Sequence, residues 1–200
     1  FQKLTTLLDI LRCLFPLTNF TPEDYVMWGD GIYFTQKYNE ISIKTYDEAI
    51  DIYDKAIDAC DRDTKNDDDT CAAAWYGKAN ALRRSERFKD AIISYEKAIA
   101  IKPDHFLART NLAMAVWKFY DDYKKGIEYV QKAIECNDKY FRAWYNKACY
   151  HVKIGEIKEG LKCLEKAVEL ESNKCKELAK DDKDFDSIRD SNNEFKRLIS

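Results

Sequence analysis

The stretch Ala74–Pro103, AWYGKANALRRSERFKDAIISYEKAIAIKP, decides how the whole chain is read. It joins a Trp-Tyr pair, a double arginine, two alanines seven apart and a closing proline. A catalytic segment, a nucleic-acid grip or one copy of a building block would each explain part of it. Sliding the stretch along the chain selects the building block. YDEAIDIYDKAIDA (46–59), FKDAIISYEKAIAI (88–101), YKKGIEYVQKAIEC (123–136) and IKEGLKCLEKAVEL (157–170) align without gaps. A small residue holds one fixed place (Ala49, Ala91, Gly126, Gly160), and an alanine follows seven residues later (Ala56, Ala98, Ala133, Ala167).

Upstream of three copies lie AAAWYGKANAL (72–82), LARTNLAMAVW (107–117) and RAWYNKACYHV (142–152), whose apolar positions recur at helical spacing. Each unit therefore reads as two short antiparallel helices. The small residues let the pair approach closely, and a Leu, Phe or Tyr side chain fills the remaining gap. Such a hairpin cannot bury its own apolar face, so the copies must stack. The expected fold is all-α: an α-solenoid of stacked antiparallel helix hairpins.

The pattern resembles the tetratricopeptide repeat (TPR) family. The family's Trp, Gly/Ala, Tyr/Leu, Ala, Tyr/Phe, Ala and Pro fall at Trp75, Ala79, Leu82, Ala91, Tyr95, Ala98 and Pro103. The last copy keeps Trp144, Ala148, Gly160, Leu164 and Ala167. The middle copy departs, with Arg109 in place of the Trp, an extra residue near Tyr120–Asp122 and Asp138 in place of the Pro. The resemblance covers roughly 21–171 and implies this organisation: an N-terminal amphipathic helix or linker (1–20), an irregular first repeat with an insertion (21–60), an acidic loop (61–71), repeats two to four (72–105, 106–140, 141–174) and a C-terminal cap (175–200). In the cap, Phe185, Ile188, Phe195, Leu198 and Ile199 are expected to cover the last hairpin.

Charge is unevenly spread. Residues 1–71 carry 15 acids and 7 bases, residues 72–155 carry 9 and 16, and the remainder 12 and 10, for a net charge of −3. A basic middle between acidic ends points to an acidic partner. The seven cysteines are odd in number, and none is paired as Cys-x-x-Cys. Buried thiols in a reducing compartment, and so a cytoplasmic location, explain them better than a disulfide framework. The chain opens on Phe1 and is expected to be a fragment or processed product. Its first segment, FQKLTTLLDILRCLFPL, carries an apolar stripe but is too short and too charged to span a bilayer.

Catalytic and metal chemistry find little support. Asp61, Asp63, Asp67 and Asp69 alternate as calcium ligands do, but Asn66 stands where an EF-hand loop needs glycine and Ala72 where it needs glutamate. The two histidines, His105 in an inter-repeat turn and His151 on a helix, sit in no nucleophile–base arrangement, and there is no glycine-rich phosphate loop. No enzyme, cofactor or metal is expected, nor is nucleic acid as a partner.

The first helix of each hairpin carries what remains. Repeat register, as the family resemblance implies it, turns one face of these helices into a concave groove. The expected groove residues are Tyr76, Asn80, Arg83, Arg84, Asn111, Lys118, Arg142, Tyr145, Asn146 and Lys153. Asparagine amides suit an extended peptide backbone, and the cations suit carboxylates. The five-residue carboxylate clamp of some TPR domains would fall at Tyr76, Asn80, Asn111, Arg142 and Asn146, where both asparagines and one cation match and two cations are missing. The expected function is a protein–protein interaction module that binds an extended, acidic segment of a partner protein. The alternative is a scaffold or regulatory arm of a larger protein, self-associating through the N-terminal helix.

Overall fold

A computed structural model describes residues 43–62 and 68–200. The stretches expected to form the N-terminal helix and the first helix of the first repeat lie outside the described residues, as does most of the insertion. Seven helices alternate direction: α1 (Ile43–Arg62), α2 (Asp68–Arg84), α3 (Phe88–Ile101), α4 (Phe106–Tyr120), α5 (Tyr123–Cys136), α6 (Phe141–Lys153) and α7 (Ile157–Leu170). The chain closes with α8 (Ser172–Asp181), a 3-10 turn (Lys183–Phe185), α9 (Asp186–Arg189) and α10 (Asn193–Ile199). No strand occurs among the described residues.

The repeated small residues lie where the helices meet. Ala49, Ala91, Ala56, Ala98, Ala133 and Ala167 have no exposed surface, and the equivalent Gly126 and Gly160 are buried. Between each pair of small residues one larger side chain fills the gap: Tyr53, Tyr95, Val130 and Leu164, all fully buried. The middle hairpin uses the smallest filler, Val130, and there Tyr150 and Trp117 crowd against Gly126 instead. The apolar interior forms two clusters, and α4 contributes to both: Ala108, Leu112, Ala115 and Val116 to one, Ala113 to the other.

The hairpins share one turn. Backbone N–H groups of Arg87, Asp122 and Glu156 donate to the carbonyls of Leu82, Trp117 and His151 at 2.9, 3.3 and 2.9 Å, closing each first helix. The residue before each donor is left-handed: Glu86 (φ 61°), Asp121 (φ 51°) and Gly155 (φ 84°). Only the last is a glycine, which adopts this conformation without a Cβ clash. First helices of neighbouring hairpins, α2 with α4 and α4 with α6, lie closer together than second helices do, so the stack curves with the first helices inside.

Arg109 explains how the middle repeat manages without its tryptophan. Trp144 donates its indole N–H to the carbonyl of Asp138, six residues back, at 2.7 Å. Arg109 donates to the carbonyl of Pro103, also six residues back, at 3.1 and 2.7 Å. The arginine keeps the polar anchor and gives up the apolar bulk. Trp75, at the family's tryptophan position, is half-buried against the core, with the Lys78 ammonium 5.5 Å from the ring centroid.

The cysteine expectation needs correction. Cys149, Cys163 and Cys175 are buried thiols and Cys136 an exposed one, but Cys60 and Cys71 form a disulfide with Cα atoms 5.9 Å apart. The packing of α1 against α2 brings the two helix ends together, which spacing in the sequence does not reveal. The helices also take up both ends of the acidic stretch, and Asp69 in the first turn of α2 pairs with Lys102 at 2.7 Å.

Two substitutions test this packing. At Gly77 an added Cβ would overlap the ring of the fully buried Tyr53. Gly77→Ala should therefore destabilise by about 1–2 kcal/mol, although alanine alone favours helix by about 1 kcal/mol. Glu86→Gly, which relieves a left-handed residue, should stabilise by about 1 kcal/mol. Urea midpoints of the two variants check both signs.

Candidate functional site

The inner face begins on α2 and α4 with a polar ladder. Asn111 Nδ2 donates to Asn80 Oδ1 at 2.8 Å and to Tyr76 Oη at 3.2 Å. Tyr95 Oη donates to the same Asn80 oxygen at 2.7 Å. Arg83 follows, with Nε donating to Tyr95 Oη at 3.3 Å and Nη1 approaching Met114 Sδ at 3.5 Å. Asn80 is buried at 7% exposure and its oxygen already accepts two bonds. It therefore orients Asn111 rather than presenting a carbonyl to solvent. Asn111 has used both amide hydrogens, so its carbonyl oxygen is the group left for a ligand N–H.

Four cations end the first helices: Arg83 and Arg84 on α2, Lys118 on α4 and Lys153 on α6, each in the last turn. Part of their placement is explained by the negative end of the helix dipole. Arg84, Lys118 and Lys153 are nevertheless exposed, as is Arg142 at the start of α6. Lys118 lies 4.1 Å from the centroid of Trp117, and Arg142 lies 5.4 Å from that of Phe141. Asn146 is half-buried on α6.

At the far end the structure departs from the expected open groove. Tyr145 is buried, and its hydroxyl donates to Asp182 Oδ2 at 2.8 Å. Lys153 pairs with Asp184 at 3.7 Å. Phe185, fully buried, sets its ring edge-on to Tyr145 with centroids 5.8 Å apart. The turn after α8 thus enters the groove that sequence register assigned to a ligand. Asp182, Asp184 and Phe185 belong to this face. Their one sequence signal is an acidic run broken by a phenylalanine. Ile188, Phe195 and Leu198 are buried in the same core as the last hairpin.

Burial raises the Tyr145 hydroxyl and the Cys149 thiol above their ordinary ranges, and the Asp182 carboxylate adds to both shifts. Asp184 is raised chiefly by burial and by Asp182, against the pull of Lys153 and Lys118. Cys149, Asp182 and Asp184 bring donor atoms within 4.8 Å of one another, but Asp182 and Asp184 already serve Tyr145 and Lys153. Ile99, Arg109, Leu112 and Tyr129, from α3, α4 and α5, line a cleft rimmed by Glu96 and Lys132.

The architecture defines an α-solenoid of helix hairpins whose first helices carry the Asn80–Asn111 ladder and end on cations. Family models described as tetratricopeptide repeat match residues 41–104, 76–141 and 141–174, and the chain belongs to that family. A curated relative, the mitochondrial import receptor subunit TOM70 of Rattus norvegicus, is 27% identical over 100 residues. The match takes 50% of this chain but 16% of TOM70, so the chain corresponds to a small part of that longer protein. Among solved structures, a double mutant of MamA RS-1 is similar at a TM-score of 0.62 and 20% identity, covering 84% of this chain and 83% of the other. YrrB, described as a TPR protein with an unusual peptide-binding site, is similar at 0.57 and 18%, covering 88% and 81%. Among the described residues no helix is long and apolar enough to cross a membrane.

His105 links this site to pH. Its Nδ1 accepts from the Ala108 N–H at 3.3 Å, capping α4, and its ring packs 4.8 Å from that of Tyr76. Burial, then Lys102, lowers its pKa from the ordinary 6.5. The folded chain thus resists protonation, so this contribution is fully present above pH 6.5 and is lost as pH falls toward the lower folded value. Urea midpoints should drop as pH falls from about 6.5 to 5.5, and His105→Asn, which keeps a capping acceptor, should flatten that slope.

Proposed function

We propose that this chain is a protein-interaction module whose inner face binds an extended, acidic segment of a partner protein. One observation carries the reading: Asn111, its donors committed within the fold, offers an acceptor on a face edged by the exposed cations Arg84, Lys118 and Arg142. A peptide backbone supplies N–H groups for the acceptor, and acidic side chains supply carboxylates for the cations. Arg84 and Arg142 can each hold a carboxylate bidentately. The import-receptor relative and the peptide-binding site ascribed to YrrB fit this role without assigning a partner.

The proposal assigns no catalysis, cofactor or resident metal. A cytoplasmic location belongs to it as well. The buried thiols Cys149, Cys163 and Cys175 favour that location, and the Cys60–Cys71 bond weighs against it.

The test uses short acidic, neutral and basic peptides with fluorescence anisotropy. Acidic peptides should bind the full chain, and the Asn111→Ala/Arg142→Ala variant should lose about tenfold or more in affinity. Thermal unfolding should shift little for Arg142, which is exposed. Acidic peptides that bind the double variant as well as the parent would remove the inner face from consideration.

A further inference from the structure

The turn that follows α8 is built as a unit. Asp182 Oδ1 accepts from the Asp184 N–H at 3.0 Å, closing the turn on itself. Arg189 staples it from behind: its guanidinium donates to the carbonyls of Ala179 and Asp182, contacts that of Lys180 and pairs with Asp186 at 3.0 Å. Three residues of the groove then contact three residues of the turn. Tyr145 Oη holds Asp182, Cys149 Sγ lies 3.9 Å from the same carboxylate, Lys153 holds Asp184, and the Tyr145 ring receives Phe185. Lys118, from the preceding repeat, also attracts Asp184.

Covering the last hairpin explains only part of this. Phe185, Ile188, Phe195 and Leu198 supply the apolar cover. Two half-buried carboxylates side by side add nothing to it; burial and the neighbouring Asp182 disfavour the Asp184 carboxylate, and Lys153 and Lys118 offset that cost. The chemistry is that of a ligand seated in a cationic groove, with an aromatic anchor.

We propose that the far end of the groove, formed by Lys118, Tyr145, Cys149 and Lys153, is a recognition site for an Asp-x-Asp-aromatic segment, and that residues 182–185 are its resident occupant. The inference rests on reading the inner face as an acidic-segment groove. A partner that reaches beyond Asn146 must then carry the same pattern and displace the turn. A partner lacking it is confined to the inner face from α2 as far as Asn146 on α6.

Cys149 lies beneath the turn at 3% exposure and reports its position; Cys175, between α7 and α8, reports the rest of the cap. The experiment measures iodoacetamide alkylation of each cysteine in the full chain by mass spectrometry. Asp182→Lys/Asp184→Lys places cations against Lys153 and Lys118, and Arg189→Ala removes the staple without touching the groove. In both variants Cys149 should react about tenfold faster or more, while Cys175 stays protected. The synthetic peptide AKDDKDFDSIR, matching residues 179–189, should then restore protection of Cys149. The same peptide with Asn at both central aspartates, 182 and 184, should not.

Unchanged Cys149 reactivity in both variants would overturn the proposal, as would exposure of Cys175 together with Cys149 in both. Failure of the peptide to protect Cys149 would also overturn it. These results are separable from the broader reading. Acidic peptides that still depend on Asn111 and Arg142 while AKDDKDFDSIR gives no protection would leave the groove standing and remove its resident ligand.

Discussion

A residue no larger than alanine sits at the crossing of each described hairpin: Ala91, Gly126 and Gly160 occupy that place, and Ala49 holds the equivalent place on α1, each of them buried. Close approach there lets a single filler, from Val130 to Tyr53, complete the contact, and the spacing propagates because every helix packs on the next. With the first helices nearer one another than the second, the stack curves, and curvature brings α2, α4 and α6 onto one inner face. The positions of Asn111, Lys118 and Arg142 are thus consequences of a packing rule set elsewhere in each hairpin.

The fold was legible because that rule is written four times. The alanines seven apart and the register of Tyr53, Tyr95 and Leu164 read directly as helix hairpins, and the structure builds them. Arg109 was legible as a departure, but its solution was not: the guanidinium copies the indole's bond to a carbonyl six residues back. Nor did sequence reveal the Cys60–Cys71 bond, since the packing of α1 against α2 sets that distance. Left-handed Glu86 and Asp121 stayed hidden for a similar reason. Only Gly155 announces the conformation by its identity.

The candidate site was legible by position more than by role. Register placed Tyr76, Asn80, Asn111 and Tyr145 on the inner face, yet it could not say which polar atoms the fold would consume. Asn80 spends its oxygen on Tyr95 and Asn111, and Tyr145 spends its hydroxyl on Asp182. The second contact joins residues 37 apart across the cap, a distance no repeat pattern encodes. What survives as accessible chemistry is narrower than the expected list. One amide carbonyl and a set of exposed cations lie toward α2 and α4, and an acidic turn already sits at α6.

The central claim is that the inner face of the first helices, and not the outer surface, receives an acidic segment. Photo-crosslinking with an acidic peptide carrying a benzophenone side chain, mapped by mass spectrometry, tests it most directly. The account predicts adducts on inner-face residues of α2, α4 and α6, among them Tyr76, Met114 and Asn146. Adducts confined to the outer helices α3, α5 and α7, including the cleft beside Tyr129, would contradict it.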